Sequence, residues 1–211
     1  MKTNQWVRNG AIAFFAAFIC LILLAVIFAL FDFISPVDEI ILDGNALILD
    51  THRELLSLLF IVDTLFVICW LVGWIGLYHF LAAQDKRLSV IVLVIGILGP
   101  LFDFGENGIS WVLIGQSSRI GMMSENWINF WLLIRPLSYL LPYVATIILG
   151  LFMSRKVLRD KITSILFIIG SIFGIFGLYF DALYIPAILW WTVCLILLGV
   201  MLMHGKDVTD S

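Results

Sequence analysis

The sequence predicts an all-α, polytopic membrane protein with six transmembrane helices and both termini in the cytoplasm. Three observations carry this: an apolar composition, six apolar stretches of membrane-spanning length, and a one-sided distribution of Lys and Arg. Of 211 residues, 63% are hydrophobic and 13% charged, against about 45–50% apolar and about 25% charged in soluble chains. A soluble fold has no way to hide that much apolar surface, and lipid removes the problem. A hydrocarbon core of roughly 30 Å takes roughly 20 apolar residues per helix. The stretches fall near residues 9–33, 55–83, 89–115, 126–153, 162–182 and 186–204, with short connections. They form a single bundle over residues 1–211 and leave no length for a second, soluble domain.

The first stretch follows Lys2 and Arg8, as in a signal peptide. Its apolar run, Ala11 to Ile34, is too long for a secretory core, so a retained helix is expected. Between helices one and two lies a polar segment, Ser35 to Glu54, with Pro36 and Asp43-Gly44-Asn45 as turn signals. A tight loop, Gln84 to Arg87, precedes helix three, and Gln116 to Glu125 precedes helix four. Ser154 to Lys161 is a basic loop. Lys and Arg are retained on the cytoplasmic side. With the N-terminus inside, that side holds Lys2, Arg8, Lys86, Arg87, Arg155, Lys156, Arg159, Lys161 and Lys206, nine in all. The outer side holds Arg53 and Arg119, and Arg135 lies within a span. The first outer loop is acidic, with Asp38, Glu39, Asp43, Asp50 and Glu54.

Gly96-x-x-Gly99-x-x-Phe102-Asp103 in helix three matches Gly174-x-x-Gly177-x-x-Phe180-Asp181 in helix five, and Leu30-Phe31-Asp32-Phe33 echoes Leu101 to Phe104. A threefold repeat of helical hairpins is one reading; coincidence in a Leu/Ile/Phe/Gly-rich alphabet is the other. Asp32 and Asp181 fall near outer helix ends, where a carboxylate costs little.

Inside the spans a charge costs roughly 2.5–3.5 kcal/mol on insertion scales, so it persists when paired or used. The candidates are Asp63, Asp103, Glu106 and Arg135, with Asn107 beside them. On the expected boundaries Asp63, Glu106 and Arg135 each lie roughly 13 Å below the outer helix end, and Asp103 roughly 18 Å. Three helices thus place ionisable groups in one layer. Asp103, Glu106, Asn107 and Ser110 form one helical stripe; Trp131, Arg135, Ser138 and Pro142 form another. Arg135 can hold one carboxylate in a bidentate pair. Two carboxylates remain, so either one carries a proton or the layer binds a proton, a metal cation or a cationic group. A purely structural network is the alternative. Interhelical polar contacts in membranes average only about 0.6 kcal/mol, a small return against the insertion cost. Pro136 and Pro142 each remove a backbone donor within helix four. Gly105 and Gly108 flank Glu106-Asn107 and permit close approach.

Other residues exclude more than they propose. Cys20, Cys69 and Cys194 lie in apolar runs, with spacing that fits neither a disulfide framework nor a zinc site; they read as small hydrophobes. His79 beside Tyr78 reads as interfacial, and His52 and His204 as surface residues. Trp127, Trp131, Trp190 and Trp191, with Trp111 and Tyr184, read as an aromatic belt. No nucleophile–base pair lies at the acidic layer. No cofactor or resident metal is called for, and no basic patch suggests nucleic acid.

Asp63 and the Asp103-x-x-Glu106-Asn107 stretch resemble a loose group of small bacterial multi-pass membrane proteins that carry an acidic loop after helix one. In that group a basic residue precedes a Trp in helix four; here Arg135 precedes Pro136, with Trp131 one turn earlier. The resemblance spans helices one to four, implies a bacterial plasma membrane, and brings no activity. Three classes of function fit the residues. One is a protein that binds or carries a proton, cation or small amphiphile from the outer side, as a homo-oligomer if six helices are too few for a carrier. The second is a membrane-embedded enzyme for a lipid or isoprenoid, with Glu106 or Asp103 as acid or base and Arg135 on an anionic headgroup. The third is a structural or accessory subunit. The lipid bilayer is a partner in all three.

Overall fold

A computed structural model describes residues 2–31, 46–115, 125–153, 161–177 and 181–204, some helix-end side chains excepted. The described chain is all-α, with six helices: α1 (Lys2–Phe31), α2 (Ala46–Ala82), α3 (Lys86–Gly115), α4 (Glu125–Phe152), α5 (Lys161–Gly177) and α6 (Asp181–His204). Four are long and apolar enough to cross a membrane, over Gln5–Ile27, Glu54–Ala82, Lys86–Ile109 and Leu132–Phe152. Two shorter apolar stretches are Ile162–Gly177 and Leu189–Met203. Asp32, Phe180, Arg119, the acidic residues 38–43 and the basic loop residues 154–160 lie outside the described residues.

Each helix packs on its neighbours in sequence, and α6 closes back on α1, so the six form a ring. The interior of the ring is filled by aromatic rings. Trp70 of α2 meets Trp191 of α6 edge-on at 5.2 Å, Tyr143 of α4 meets Trp191 at 5.3 Å, and Phe66 leans on Trp70 at 5.3 Å. All four are buried. This corrects the belt assignment for Trp191, which bridges opposite sides of the ring. Trp190 instead covers Gly170 at the α5–α6 seam. Trp111 keeps an exposed face and touches Phe60 at 6.3 Å.

Several boundaries differ from expectation for local reasons. Helix α2 begins at Ala46, well before Leu55, because Ala46-Leu47-Ile48-Leu49 are helix formers and no Gly or Pro follows Gly44 until Gly73. Its 37 residues span about 55 Å, more than a bilayer core. Helix α3 begins at Lys86, because the Asp85 carboxylate accepts from the amides of Arg87 at 3.0 Å and Leu88 at 3.1 Å, an N-cap. Helix α1 begins at Lys2, which lets Trp6 stack on His79 at 5.7 Å. Asp181 opens α6, where helix five was expected to run to Ala182. The matched motifs therefore differ in place: Asp103 is buried in mid-helix, and Asp181 is a first residue.

Small residues set the seams. Gly10 and Gly76 bring α1 and α2 together backbone to backbone. Between α4 and α5, Ser164 donates to the Gly150 carbonyl at 2.6 Å, and the Thr146 and Ser171 hydroxyls share a hydrogen bond at 2.5 Å. Cys20 and Cys69 face one another across the α1–α2 seam, both partly exposed, whereas Cys194 is buried. Mild oxidation should therefore protect two of the three thiols from alkylation under denaturing conditions, and Cys20→Ala should restore labelling of Cys69. Alkylation of all three after oxidation would refute this register.

Candidate functional site

The polar layer forms where α2, α3 and α4 adjoin, and the helix seams fix its register. Gly96 of α3 lies against the Trp74 indole of α2. Three turns further along both antiparallel helices, Asn107 faces Asp63. Gly99 of α3 lies against Pro142 of α4, where an added Cβ would come within 2.6 Å of the ring. Two turns further on, Glu106 faces Arg135. Glycine is required at these seams by close approach, and the polar pairs follow from the same alignment.

Pro142 contributes to the seam as well. Lacking an N–H, it frees the Ser138 carbonyl from its helix bond. That carbonyl lies against Gly99, 3.1 Å from where a Cβ would stand. Thr146 donates back to the Pro142 carbonyl at 3.0 Å and Ser138 to that of Arg135 at 2.7 Å, so hydroxyls near the break turn to their own helix. Pro100 stands inside α3 in the same way, a break the sequence reading did not weigh.

The structure brings all five candidate residues to this region. Arg135 Nε stands 3.7 Å from Glu106 Oε1, an ion pair between α3 and α4. Glu106 is thus a carboxylate that Arg135 meets, at a distance beyond the usual hydrogen-bond range. Glu106 is 13% exposed and Arg135 36%. Asp103 is buried and lies within electrostatic reach of both Asp63 and Glu106. Asn107 is 3% exposed; its amide nitrogen has no close hydrogen-bond partner although it faces the Asp63 carboxyl. Asp63 itself is partly exposed. Asp63 lies nine residues beyond Glu54, the first residue of the α2 apolar stretch among the described residues.

The sequence places Trp70 and Phe66 on the Asp63 face of helix two, but not their meeting with Tyr143 and Trp191. The aromatic layer adjoins the acids along both helices: Trp70 is two turns from Asp63 on the same face of α2, and Tyr143 is two turns from Arg135 on α4. Its signal was present as Phe66, Trp70 and Tyr143 at helical spacing from the charged residues. The indole nitrogens of Trp70 and Trp74 are buried there without hydrogen-bond partners. Among the described residues, no three His, Cys, Asp or Glu side chains converge to hold a metal ion. The side chains of Ser110 and Trp131 lie outside those described.

Among the described side chains, the arrangement gathers the carboxyls of Asp63, Asp103 and Glu106, with the Arg135 guanidinium against Glu106. It can take up a proton or an organic cation beside the acids, and it can present Arg135 to an anion. The chain matches no protein-family model, no curated protein and no solved structure.

Proposed function

We propose that the chain crosses the membrane six times with both termini in the cytoplasm, and that the Asp63–Asp103–Glu106–Asn107–Arg135 layer binds or carries a proton, an organic cation or a small amphiphile from the outer side. The observation that carries this is the charge balance. Arg135 meets Glu106, while Asp63 and Asp103 stand within reach of each other. Asp103 is buried and Asp63 half-buried, a costly setting for carboxylates that lack an opposite charge among the described residues, so a proton or a cationic ligand completes the layer. With no group of three or more His, Cys, Asp or Glu poised to hold a metal among the described residues, a proton or an organic cation is favoured over a tightly coordinated ion. The Lys and Arg distribution supports the orientation.

The structural reading keeps one observation of its own, since Glu106 and Arg135 tie α3 to α4. Flux separates the two. In reconstituted vesicles the wild type should move protons or a small organic amine down an imposed gradient several-fold faster than protein-free vesicles, and Asp103→Asn should abolish the difference. Flux equal to that of empty vesicles across protons and amines would sink the carrier reading. Binding of an amine without flux would leave a receptor-type site.

A further inference from the structure

The α1–α2 seam carries a pair of thiols that the acidic layer does not use. The two antiparallel helices meet in rungs. Gly10 lies on Gly76 backbone to backbone, and Phe14 lies on Gly73. Further along, Cys20 stands beside Cys69, close enough for their sulfhydryls to interact. The glycine rungs bring the backbones together, which lets two short side chains meet across a helix interface. Both helices are long and apolar enough to cross a membrane. Cys69 is near the middle of its apolar stretch Glu54–Ala82, about 20 Å from either end. Cys20 lies well inside Gln5–Ile27, about 22 Å along α1 from Gln5. Each of the two thiols keeps a partly exposed face. Ile19 and Ile68 beside them are exposed and apolar, so the open side of the pair faces hydrocarbon. Cys194, by contrast, is fully buried in α6.

We propose that Cys20 and Cys69 form a dithiol–disulfide centre, oxidised from within the bilayer by a lipid-soluble two-electron oxidant, a quinone or an acyl hydroperoxide. Two S–H bonds break and one S–S bond forms. With a quinone, both electrons and both protons pass to the two ring oxygens, giving the hydroquinone. With a hydroperoxide, the O–O bond breaks, and the two electrons and two protons yield an alcohol and water. Location selects this class of oxidant. Exchange with a soluble disulfide needs a thiolate and access to the sulfur. About 20 Å of hydrocarbon denies both to a charged peptide disulfide such as oxidised glutathione. A lipid-soluble oxidant reaches the partly exposed sulfurs from the side. Once one sulfur is attacked, the other stands in place to close the bond, so ring closure within the chain outruns bonding between chains.

The experiment uses the purified full chain in phospholipid nanodiscs. Samples are treated with decylbenzoquinone, linoleic acid hydroperoxide or oxidised glutathione at equal concentration, then denatured, alkylated and weighed intact by mass spectrometry. At least one of the two lipid-soluble oxidants should remove two alkylation sites per chain, roughly tenfold faster than oxidised glutathione. The chain should stay monomeric on a non-reducing gel, and dithiothreitol should return both sites. Peptide mapping should find a Cys20–Cys69 bond. Cys20→Ala and Cys69→Ala should each keep both remaining thiols alkylatable after the same treatment, and Cys194→Ala should still lose two. Loss with the quinone alone or the hydroperoxide alone supports the centre and names its oxidant. Oxidised glutathione acting as fast as the lipid-soluble oxidants would overturn the route through the bilayer. No loss with either lipid-soluble oxidant, disulfide-linked dimers in place of the internal bond, or a quinone adduct that survives dithiothreitol would overturn the centre itself.

Discussion

Arg135→Gln should lower thermal stability in detergent more than Glu106→Gln or Asp103→Asn. The guanidinium is the cation that stands against Glu106, and Asp103 and Asp63 lie within reach of that layer. Removing it leaves buried acids facing one another. Breaking a fully buried pair costs about 3–5 kcal/mol. Arg135 is one-third exposed, so solvent and headgroups screen the pair and about 2–3 kcal/mol is expected. Glu106→Gln should cost less, about 1 kcal/mol, because the stranded charge is then the partly exposed one. Asp103→Asn removes an acid placed between two others and should leave stability unchanged or raise it, as neutralising a strained functional group often does. Melting curves of the three variants check the ordering. Equal large losses for all three would mean that the network is a structural tie, and the binding reading would fail with it.

Gly76→Ala is expected to be the most damaging single-methyl change in the described bundle. A Cβ at Gly76 would stand 2.5 Å from the Cα of Gly10, 2.9 Å from the Trp6 carbonyl oxygen and 3.0 Å from the Gly10 nitrogen. All three are backbone atoms, so no rotamer change relieves the clash and α1 must move off α2. Overpacking of this kind costs about 1–3 kcal/mol. The shift also separates Trp6 from His79 and disturbs the Cys20–Cys69 register, so oxidative protection of those thiols should fall together with the melting temperature. Gly108→Ala is the control. Nothing stands within 4 Å of that Cβ, and alanine favours a helix over glycine by about 1 kcal/mol, so this variant should be neutral or slightly more stable. A Gly76→Ala protein as stable as wild type would show that the α1–α2 contact is looser than described.

The helical architecture was readable because hydropathy and helix length are one-dimensional properties. The polar layer was readable too, since residues at equal distance from helix ends on antiparallel neighbours come to similar depth. Glu106 and Arg135 illustrate this: their expected levels agree with the ion pair. The choice of Glu106 over Asp63 or Asp103 as the partner was not readable, because it depends on rotation of α3, which Gly99 against Pro142 sets. Trp191 was misread for a similar reason. A Trp near a helix end fits the interfacial belt by sequence, and only the closure of α6 onto α1 and α2 turns it inward. The start of α2 was missed because Asp50, His52, Arg53 and Glu54 are polar, and polarity was taken for a loop where a helix projects past the apolar stretch.

The aromatic layer under the acids has an electrical consequence. Phe66, Trp70, Tyr143 and Trp191 fill the ring interior with material of low dielectric, so most of the transmembrane voltage inward of the site drops across them. On the topology proposed above, a cation that descends about 13 Å into a core of about 30 Å would traverse roughly four-tenths of the field. At about 2.3 kcal/mol per charge per 100 mV, that is about 1 kcal/mol, or roughly fivefold in affinity. On that topology, occupancy by a monovalent cation entering from the outer side should follow the membrane potential, rising with hyperpolarisation, whereas a ligand with no net charge should bind with little regard to voltage.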